Sequence, residues 1–188
     1  MKITPLIVVS APSGAGKSSF CKKAIQDFKE LTYSISYTTR PPREGEVEGD
    51  PYHFVDRKKF LELKDQGFFI ETAEVFATLY GTPKNEVERA KKMGKFLIMD
   101  IDVQGADSFR AVYPEAMYIF ILPPSVDELR RRLMARDKGK THNLEIRLKK
   151  ATDEMGQSHK FNHQIMNDDF NHAYAEFKKI IEALIKSR

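Results

Sequence analysis

A glycine-bearing loop near the start of the chain constrains its fold more than any other stretch. Residues 11–18 read APSGAGKS. The five residues before the loop, 6–10, are mostly β-branched and apolar, as in a buried parallel strand. Phe20, Ala24 and Phe28 follow the loop at helical spacing. A strand, a glycine loop and a helix in this order are the context of a phosphate-binding loop.

The residue types of the loop suit the phosphates of a nucleotide. Gly14 and Gly16 let backbone N–H groups approach closely, and the helix N-terminus adds further donors. Lys17 offers a positive charge to the β- and γ-phosphates, and Ser18 offers a hydroxyl to Mg²⁺. The general motif, G-x-x-x-x-G-K-[ST], begins with glycine where this chain has Ala11, which adds one methyl group. The alternative is a chance glycine turn between a core strand and a helix.

Composition indicates one globular domain with a small acidic ligand. The 188 residues are 41% hydrophobic and 31% charged, with a net charge of +4. Because Lys and Arg are interleaved with Asp and Glu, we expect a phosphorylated small molecule and no nucleic-acid partner. The sequence has one cysteine, Cys21, and it shows neither a signal peptide nor a membrane-spanning run. We therefore expect a cytoplasmic protein without a membrane partner.

The remaining pattern predicts an α/β fold with a parallel core sheet covered on both faces. Residues 6–10, 96–101 and 117–122 are apolar strands separated by helical segments. Asp100 and Asp102 follow the second of these strands, at the sheet edge where ligands bind. Residues 31–39 alternate like one further strand, and residues 80–83 suggest a turn.

Several motifs, in order along nearly the whole chain, carry a family resemblance. They are SAPSGAGKSS at 10–19, SISYTTRPPREGEVEGDPYHF at 34–54, FIETAEV at 69–75, YGT at 80–82, DIDVQG at 100–105, FILPPS at 120–125 and NDD at 167–169. With these motifs the sequence resembles the guanylate kinase family of nucleoside monophosphate kinases.

The resemblance implies a P-loop nucleoside triphosphate hydrolase-like three-layer fold in a single domain of three parts. A core of residues 1–33, 96–125 and 161–188 would carry the phosphate loop. A GMP-binding lobe would span residues 34–95, and a lid region would span residues 126–160.

The resemblance also implies a set of GMP contacts. Glu71 and Asp102 match carboxylates that read guanine, because N1–H and the 2-amino group are adjacent donors that adenine lacks. Ser36 and Thr82 match hydroxyls that face O6 and N7. The acceptor phosphate would be held by Arg40, Arg43, Tyr52 and Tyr80. The alternatives are a solvated strand position for Glu71, a helix cap for Asp102 and solvated arginines.

The donor side follows in the same way. The resemblance implies ATP contacts at Ala11, Pro12, Ser13, Gly14, Ala15, Gly16, Lys17, Ser18, Ser19 and Asn167. It also implies Mg²⁺ at Ser18, and Arg132, Arg136 and Arg147 as cations that act with Lys17 on the transferring phosphoryl group. Asn167 would contact adenine; the alternative is a turn-and-cap role for the triplet Asn167-Asp168-Asp169.

One segment departs from the family pattern. Guanylate kinases commonly have G-R-G in the lid, where this chain has Ala135-Arg136-Asp137. The expected activity is Mg²⁺- and ATP-dependent phosphorylation of GMP, and of dGMP, by a monomer or small homo-oligomer. The alternatives are a guanylate kinase-like module that has lost catalysis and binds proteins, or a GTPase or another small-molecule kinase. Guanylate kinase-like domains that have lost catalysis typically have a damaged phosphate loop, whereas this loop keeps Lys17 and Ser18. The N-K-x-D motif of a GTPase does not occur in the sequence.

Overall fold

The computed structural model describes residues 6–43, 45–136 and 143–187, with only the backbone of Arg136 included. The strands are β1 (Leu6–Ser10), β2 (Leu31–Tyr33), β3 (Ser36–Thr38), β4 (Val47–Glu48), β5 (Pro51–Phe54), β6 (Phe69–Val75), β7 (Thr78–Pro83), β8 (Phe96–Asp100), β9 (Met117–Leu122) and β10 (His163–Met166). The α-helices are α1 (Lys17–Asp27), α2 (Arg57–Asp65), α3 (Asn85–Lys92), α4 (Val103–Val112), α5 (Val126–Arg136), α6 (Leu144–Met155) and α7 (Phe170–Lys186), with a 3₁₀ turn at Ser158–Lys160.

The first sheet is the predicted parallel core. Its order is β10-β9-β1-β8-β2, and all four pairings are parallel. One face packs on α1, α5, α6 and α7, and the other on α3 and α4. Every residue of β1 is buried, which explains its continuous apolar run. The α/β fold with a parallel core sheet is thereby confirmed.

A second, smaller sheet has the order β4-β5-β3-β7-β6 and mixes parallel with antiparallel pairs. Its own apolar cluster centres on Phe60, Phe69 and Leu79, with the rings of Phe60 and Phe69 stacked at 4.8 Å. This sheet lies inside the predicted lobe of residues 34–95. The predicted range also includes α3, which packs on the first sheet instead, because its Val87 and Ala90 are buried there.

Two predicted elements are wrong in detail. Residues 31–39 form two strands, since β2 joins the first sheet and β3 joins the second. Residues 80–83 are not a turn but part of β7, and the chain turns instead at Phe76 and Ala77, whose φ angles are 50° and 63°. Gly81 serves close packing, because a Cβ there would lie 2.9 Å from the Phe69 ring.

Asp56 and Ser125 cap the helices that follow them. The Asp56 side chain accepts a hydrogen bond from the backbone N–H of Lys59 at 2.7 Å. The Ser125 hydroxyl accepts one from the backbone N–H of Glu128 at 3.1 Å. Among the described residues, no helix combines the length and the hydropathy that a bilayer crossing requires.

The predicted lid region, residues 126–160, contains helices that belong to the core. Leu129 and Leu133 of α5 and Leu148 and Ala151 of α6 are buried in the same cluster as β1 and α1. The atypical stretch continues from Arg136 into residues 137–142, which lie outside the described residues together with the Arg136 side chain.

Candidate active site

A cleft of about 520 Å³ lies between the carboxyl ends of the first sheet, the second sheet and α6. It brings together most of the residues that the sequence analysis selected. Those lining it are Ala11, Pro12, Ser13, Gly14, Gly16, Lys17, Ser18, Ser19, Ser36, Arg40, Arg43, Tyr52, Glu71, Tyr80, Asp102, Arg132, Arg147 and Asn167. Ala15 and Thr82 are buried behind this surface. The Arg136 side chain lies outside the described residues.

The phosphate loop connects β1 to α1 through two glycines in the left-handed region. Gly14 has φ 93° and Gly16 has φ 102°, conformations that side chains disfavour. Gly16 is the N-cap of α1, and no side chain caps this helix, so its first N–H groups are left for a ligand. Ala11 is buried in the core cluster, which accommodates the methyl group that departs from the general motif.

Asn167 holds this loop in place. Its Nδ2 donates a hydrogen bond to the carbonyl of Ala15 at 2.8 Å, and its own carbonyl accepts one from Nη2 of Arg132 at 2.9 Å. Its Oδ1 is buried and accepts no hydrogen bond within the described part of the chain. Asp169, not Asn167, caps α7 by accepting from the N–H groups of Asn171 and His172. The adenine contact of Asn167 stays a prediction, and the loop-bracing contact is a role that the sequence analysis missed.

A carboxylate and two hydroxyls meet beside the start of α1. Ser18 Oγ donates a hydrogen bond to Oδ2 of Asp100, and the Tyr33 hydroxyl donates one to Oδ1. Hydroxyl and carboxylate oxygens are ligands that Mg²⁺ prefers, so this chemistry fits the metal. The sequence analysis placed Asp100 at the sheet edge but gave it no role, and it missed Tyr33. The pairing of β2 with β8, Tyr33 opposite Ile98, brings that tyrosine near Asp100.

Two carboxylates lie at the other end of the cleft. Glu71 of β6 is only 5% exposed, and its Oε1 accepts a hydrogen bond from the Thr82 hydroxyl at 2.6 Å. The Thr82 hydroxyl lies 3.4 Å from that of Ser36. Burial raises the pKa of Glu71 to about 7, and the nearby charge of Asp102 adds to the rise. The alternative of a solvated strand position for Glu71 is therefore wrong. Asp102 does cap α4, because its Oδ1 accepts from the backbone N–H of Gly105 at 2.8 Å.

Arg40 is held by an acidic partner that the sequence analysis missed. Its Nη1 and Nη2 donate to the two carboxylate oxygens of Glu46 at 2.6 and 2.7 Å. These hydrogen bonds lower the pKa of Glu46 to about 2, and the backbone N–H of Arg43 also donates to it. The Arg40 guanidinium lies 5.1 Å from the ring centre of Tyr52, whose ring lies 6.0 Å from that of Tyr80.

Helix α6 supplies the wall opposite the second sheet. Its cleft side carries Arg147, Lys150 and Glu154, spaced for one helix face. Lys150 Nζ lies 3.7 Å from Oδ2 of Asp102 and 3.6 Å from Oε1 of Glu154. Phe76, at the tip of the β6–β7 hairpin, reaches this wall, with the Arg147 guanidinium 5.2 Å from its ring centre. Neither Lys150 nor Glu154 was identified from the sequence, although their spacing from Arg147 was a usable signal.

Comparisons with known proteins agree on one family. Residues 3–184 match the family described as Guanylate kinase. The chain is 44% identical to a guanylate kinase of Bdellovibrio bacteriovorus over 97% of this chain and 98% of that one. It is 43% identical to one of Legionella pneumophila (strain Lens) over 95% of this chain and 85% of that one. The crystal structure of guanylate kinase from Anaplasma phagocytophilum aligns with a TM-score of 0.79 at 34% identity, covering 97% of this chain and 87% of that one.

Proposed function

The chain belongs to the guanylate kinase family, and we propose that the cleft between its two sheets transfers the γ-phosphoryl group of ATP to GMP, giving ADP and GDP. One observation carries this proposal: an intact phosphate loop and a buried, hydroxyl-bonded Glu71 line the same cleft. The family resemblance supports dGMP as a second acceptor. It also supports a cytoplasmic enzyme that is a monomer or a small homo-oligomer.

The donor nucleotide binds at the phosphate loop. Backbone N–H groups of the phosphate loop surround the phosphates, and Lys17 supplies a positive charge to the β- and γ-phosphates. Ser18 and Asp100 would hold Mg²⁺, and the bound ion would neutralise charge on those phosphates. The contact between Ser18 and Asp100 supports this assignment, and Tyr33 orients the carboxylate.

The acceptor base binds at Glu71. An ionised carboxylate accepts hydrogen bonds from guanine N1–H and from one N–H of the 2-amino group. The second N–H of that amino group is directed to Asp102. Adenine lacks both donors at these positions, so the buried carboxylate would receive no hydrogen bond from the base. The hydroxyls of Ser36 and Thr82 face O6 and N7.

The acceptor phosphate binds in the same cleft, beside the loop that carries Arg40 and Arg43. Arg40 and Arg43 fork onto its oxygens, and the hydroxyls of Tyr52 and Tyr80 donate to it. Before GMP binds, Glu46 keeps the Arg40 guanidinium fixed, because its carboxylate accepts hydrogen bonds from both terminal nitrogens. Arg43 lines the same cleft, so its guanidinium and the remaining donors of Arg40 can reach the phosphate.

Phosphoryl transfer proceeds in line from ATP to the GMP phosphate without a covalent enzyme intermediate. The protein contributes positioning and positive charge. Lys17, Arg132, Arg136 and Arg147 stabilise the charge that develops on the transferring group. Exclusion of water from the closed cleft prevents hydrolysis of ATP.

The experiment that tests this function is an ADP-coupled assay with GMP, dGMP, AMP, UMP and CMP as acceptors. We expect turnover with GMP and dGMP and little with the other three. Lys17→Ala should lower kcat by two orders of magnitude or more with GMP affinity retained, because its ammonium acts on the transferring phosphoryl group. Lys23→Ala, on the same helix but outside the residues that line the cleft, is the matched control. No turnover with any acceptor, together with retained GMP binding, would instead support the protein-binding alternative.

A further inference from the structure

Lys150 occupies a position in the cleft wall that the reaction described above does not use. Helix α6 is fixed to the core by Leu148 and Ala151 on one face, and Lys150 points from the other face into the cleft. The Lys150 side chain is 25% exposed, and its Nζ lies 5.4 Å from the ring centre of Phe76. Its nearest charged groups are Asp102 and Glu154.

The two carboxylate oxygens of Asp102 have different environments. Oδ1 accepts the hydrogen bond from Gly105 that caps α4. Oδ2 is buried and accepts no hydrogen bond from the residues that the structure describes, although the Lys150 ammonium lies 3.7 Å away. A buried carboxylate oxygen that lacks a donor is costly, and a nearby ammonium reduces that cost.

This corner of the cleft is rich in negative charge. Glu71, Asp102 and Glu154 all line it, and Lys150 is ion-paired with two of the three. Glu154 is itself buried, so it fixes the ammonium near Asp102 instead of leaving it to solvent. Lys150 is therefore a built-in counter-ion for the base end of the cleft.

We propose that Lys150 is a specificity-determining residue: it is the counter-ion of Asp102 Oδ2 in the empty cleft, and the 2-amino group of guanine takes over that oxygen when GMP binds. This inference rests on the proposed function, in which Asp102 faces the amino group. Lys150 then sets how much affinity the enzyme loses when a base lacks that amino group.

A base without the 2-amino group reveals this role. Hypoxanthine, the base of IMP, keeps N1–H, O6 and N7 but has no amino group. With IMP bound, Lys150 remains beside Asp102 Oδ2 and reduces the cost of the missing donor. With GMP bound, the amino group replaces Lys150, so the lysine gives no such help. Lys150 thus lowers the ratio of the IMP dissociation constant to the GMP dissociation constant.

Lys150→Met tests the proposal, because methionine keeps an unbranched stem and removes the charge. We would measure Kd for GMP and for IMP by calorimetry, together with kcat/KM for each. The ratio of IMP Kd to GMP Kd should rise about tenfold, with most of the change in GMP, because the lysine stabilises the empty cleft and the IMP-bound cleft alike. Both constants come from one preparation, so a partly unfolded variant does not alter the ratio.

Two further variants separate this role from a structural one. Lys149→Met removes an equivalent charge from the exposed face of the same helix and should leave the ratio unchanged. Lys150→Arg keeps the charge and should give the same ratio of IMP Kd to GMP Kd as the parent. An unchanged or smaller ratio in Lys150→Met, or an equal shift in Lys149→Met, would overturn the inference. A parent enzyme that fails to use GMP would overturn the proposed function instead, so the two failures are distinguishable.

Discussion

Glu71 is a buried carboxyl group whose protonation state matters for the base it faces. Guanine presents two donors, and only an ionised carboxylate can accept both without directing a proton at one of them. In the empty cleft its pKa is about 7, since burial disfavours the charged form and Asp102 adds like charge. Near neutral pH, part of the enzyme therefore carries a protonated Glu71 that must lose its proton before GMP binds.

This gives a pH prediction at the level of one residue. GMP affinity should increase as pH rises through about 7 and should level off near pH 8, because the pKa of the free enzyme is raised and the bound form is ionised. Below pH 7 the titration of Glu71 should raise the dissociation constant by up to about tenfold for each pH unit, and the GMP phosphate should add to the rise below about pH 6. Titration of GMP binding from pH 5.5 to 8.5 measures this.

Glu71→Gln supplies the comparison, since the amide does not titrate but the GMP phosphate, with a pKa near 6, still does. The variant should lose at least two orders of magnitude in kcat/KM for GMP, about 2.7 kcal/mol, with unchanged ATP affinity. Its GMP affinity should keep only the phosphate-dependent part of the pH profile. A profile identical to that of the parent would mean that Glu71 is not the titrating group.

Residues that match a motif could be selected from the sequence, and their partners could not. Glu71, Asp102 and Arg40 were selected through the family resemblance, and the structure places all three in the cleft. Glu46 and Tyr33 were missed, because a glutamate in a charged loop and a tyrosine in a strand have no local signature of a contact. The Tyr33–Asp100 contact joins residues 67 apart in sequence, so it exists only after the strands pair.

At the scale of elements, the base end of the cleft depends on how closely α4 approaches β6. Gly105 lies in the first turns of α4, where its backbone N–H holds Asp102. A Cβ at this position would lie 2.7 Å from Oε2 of Glu71 and 3.3 Å from Oδ1 of Asp102. Helix and strand can therefore approach this closely only because residue 105 has no side chain.

Gly105→Ala should consequently weaken GMP binding while the fold persists. The added methyl group must displace the Glu71 carboxylate, and we expect GMP affinity to fall by tenfold or more with unchanged ATP affinity. The free energy of unfolding should change little, because alanine is favoured over glycine in a helix by about 1 kcal/mol and this offsets the strain. Calorimetric binding of each nucleotide and thermal unfolding are the measurements.

Gly156→Ala is the matched control, since a Cβ there would come no closer than 3.4 Å to the Asp153 carbonyl oxygen. Gly156 is the exposed C-cap of α6 and is not among the residues that line the cleft, so the change should leave both affinities intact. Unaltered GMP binding in Gly105→Ala would show that Glu71 has room to shift without losing the base.

Element boundaries were predictable where the pattern was local. The buried strand at 117–122 and the caps at Asp56 and Ser125 follow from residue types within one window. The split of residues 31–39 was not predictable, because β2 and β3 share one alternating pattern and differ only in the sheet that receives them. The glycine of YGT suggested a turn, but it allows close approach to Phe69 instead.

At the scale of the whole molecule, the chain crosses between the two sheets at a few residues. Between β2 and β3, the backbone N–H of Ile35 donates to Oε2 of Glu86 at 2.8 Å, and Nη2 of Arg89 donates to the carbonyl of Tyr33 at 2.6 Å. Glu86 and Arg89 are themselves ion-paired on α3. Because α3 packs on the first sheet, these contacts fix the crossing to the core, and the second sheet extends beyond it.

This arrangement gives the last prediction, which concerns closure. Phosphoryl transfer requires Arg40 and Arg43 on the second sheet's side and Lys17 and Arg147 on the core's side to act on one reaction. Bound nucleotides should therefore draw the part of residues 34–95 that forms the second sheet toward the core. With saturating GMP and a non-hydrolysable ATP analogue, X-ray scattering should show a smaller radius of gyration. Hydrogen exchange should slow in the loop of residues 40–46 and at the β6–β7 turn, and α3 should change little because it is already fixed to the first sheet. Each nucleotide alone serves as the control and should give a smaller change than the pair. If the pair produces neither compaction nor protection, the cleft already has its reactive shape, and the predicted division into core, GMP-binding lobe and lid describes sequence segments that do not move as separate bodies.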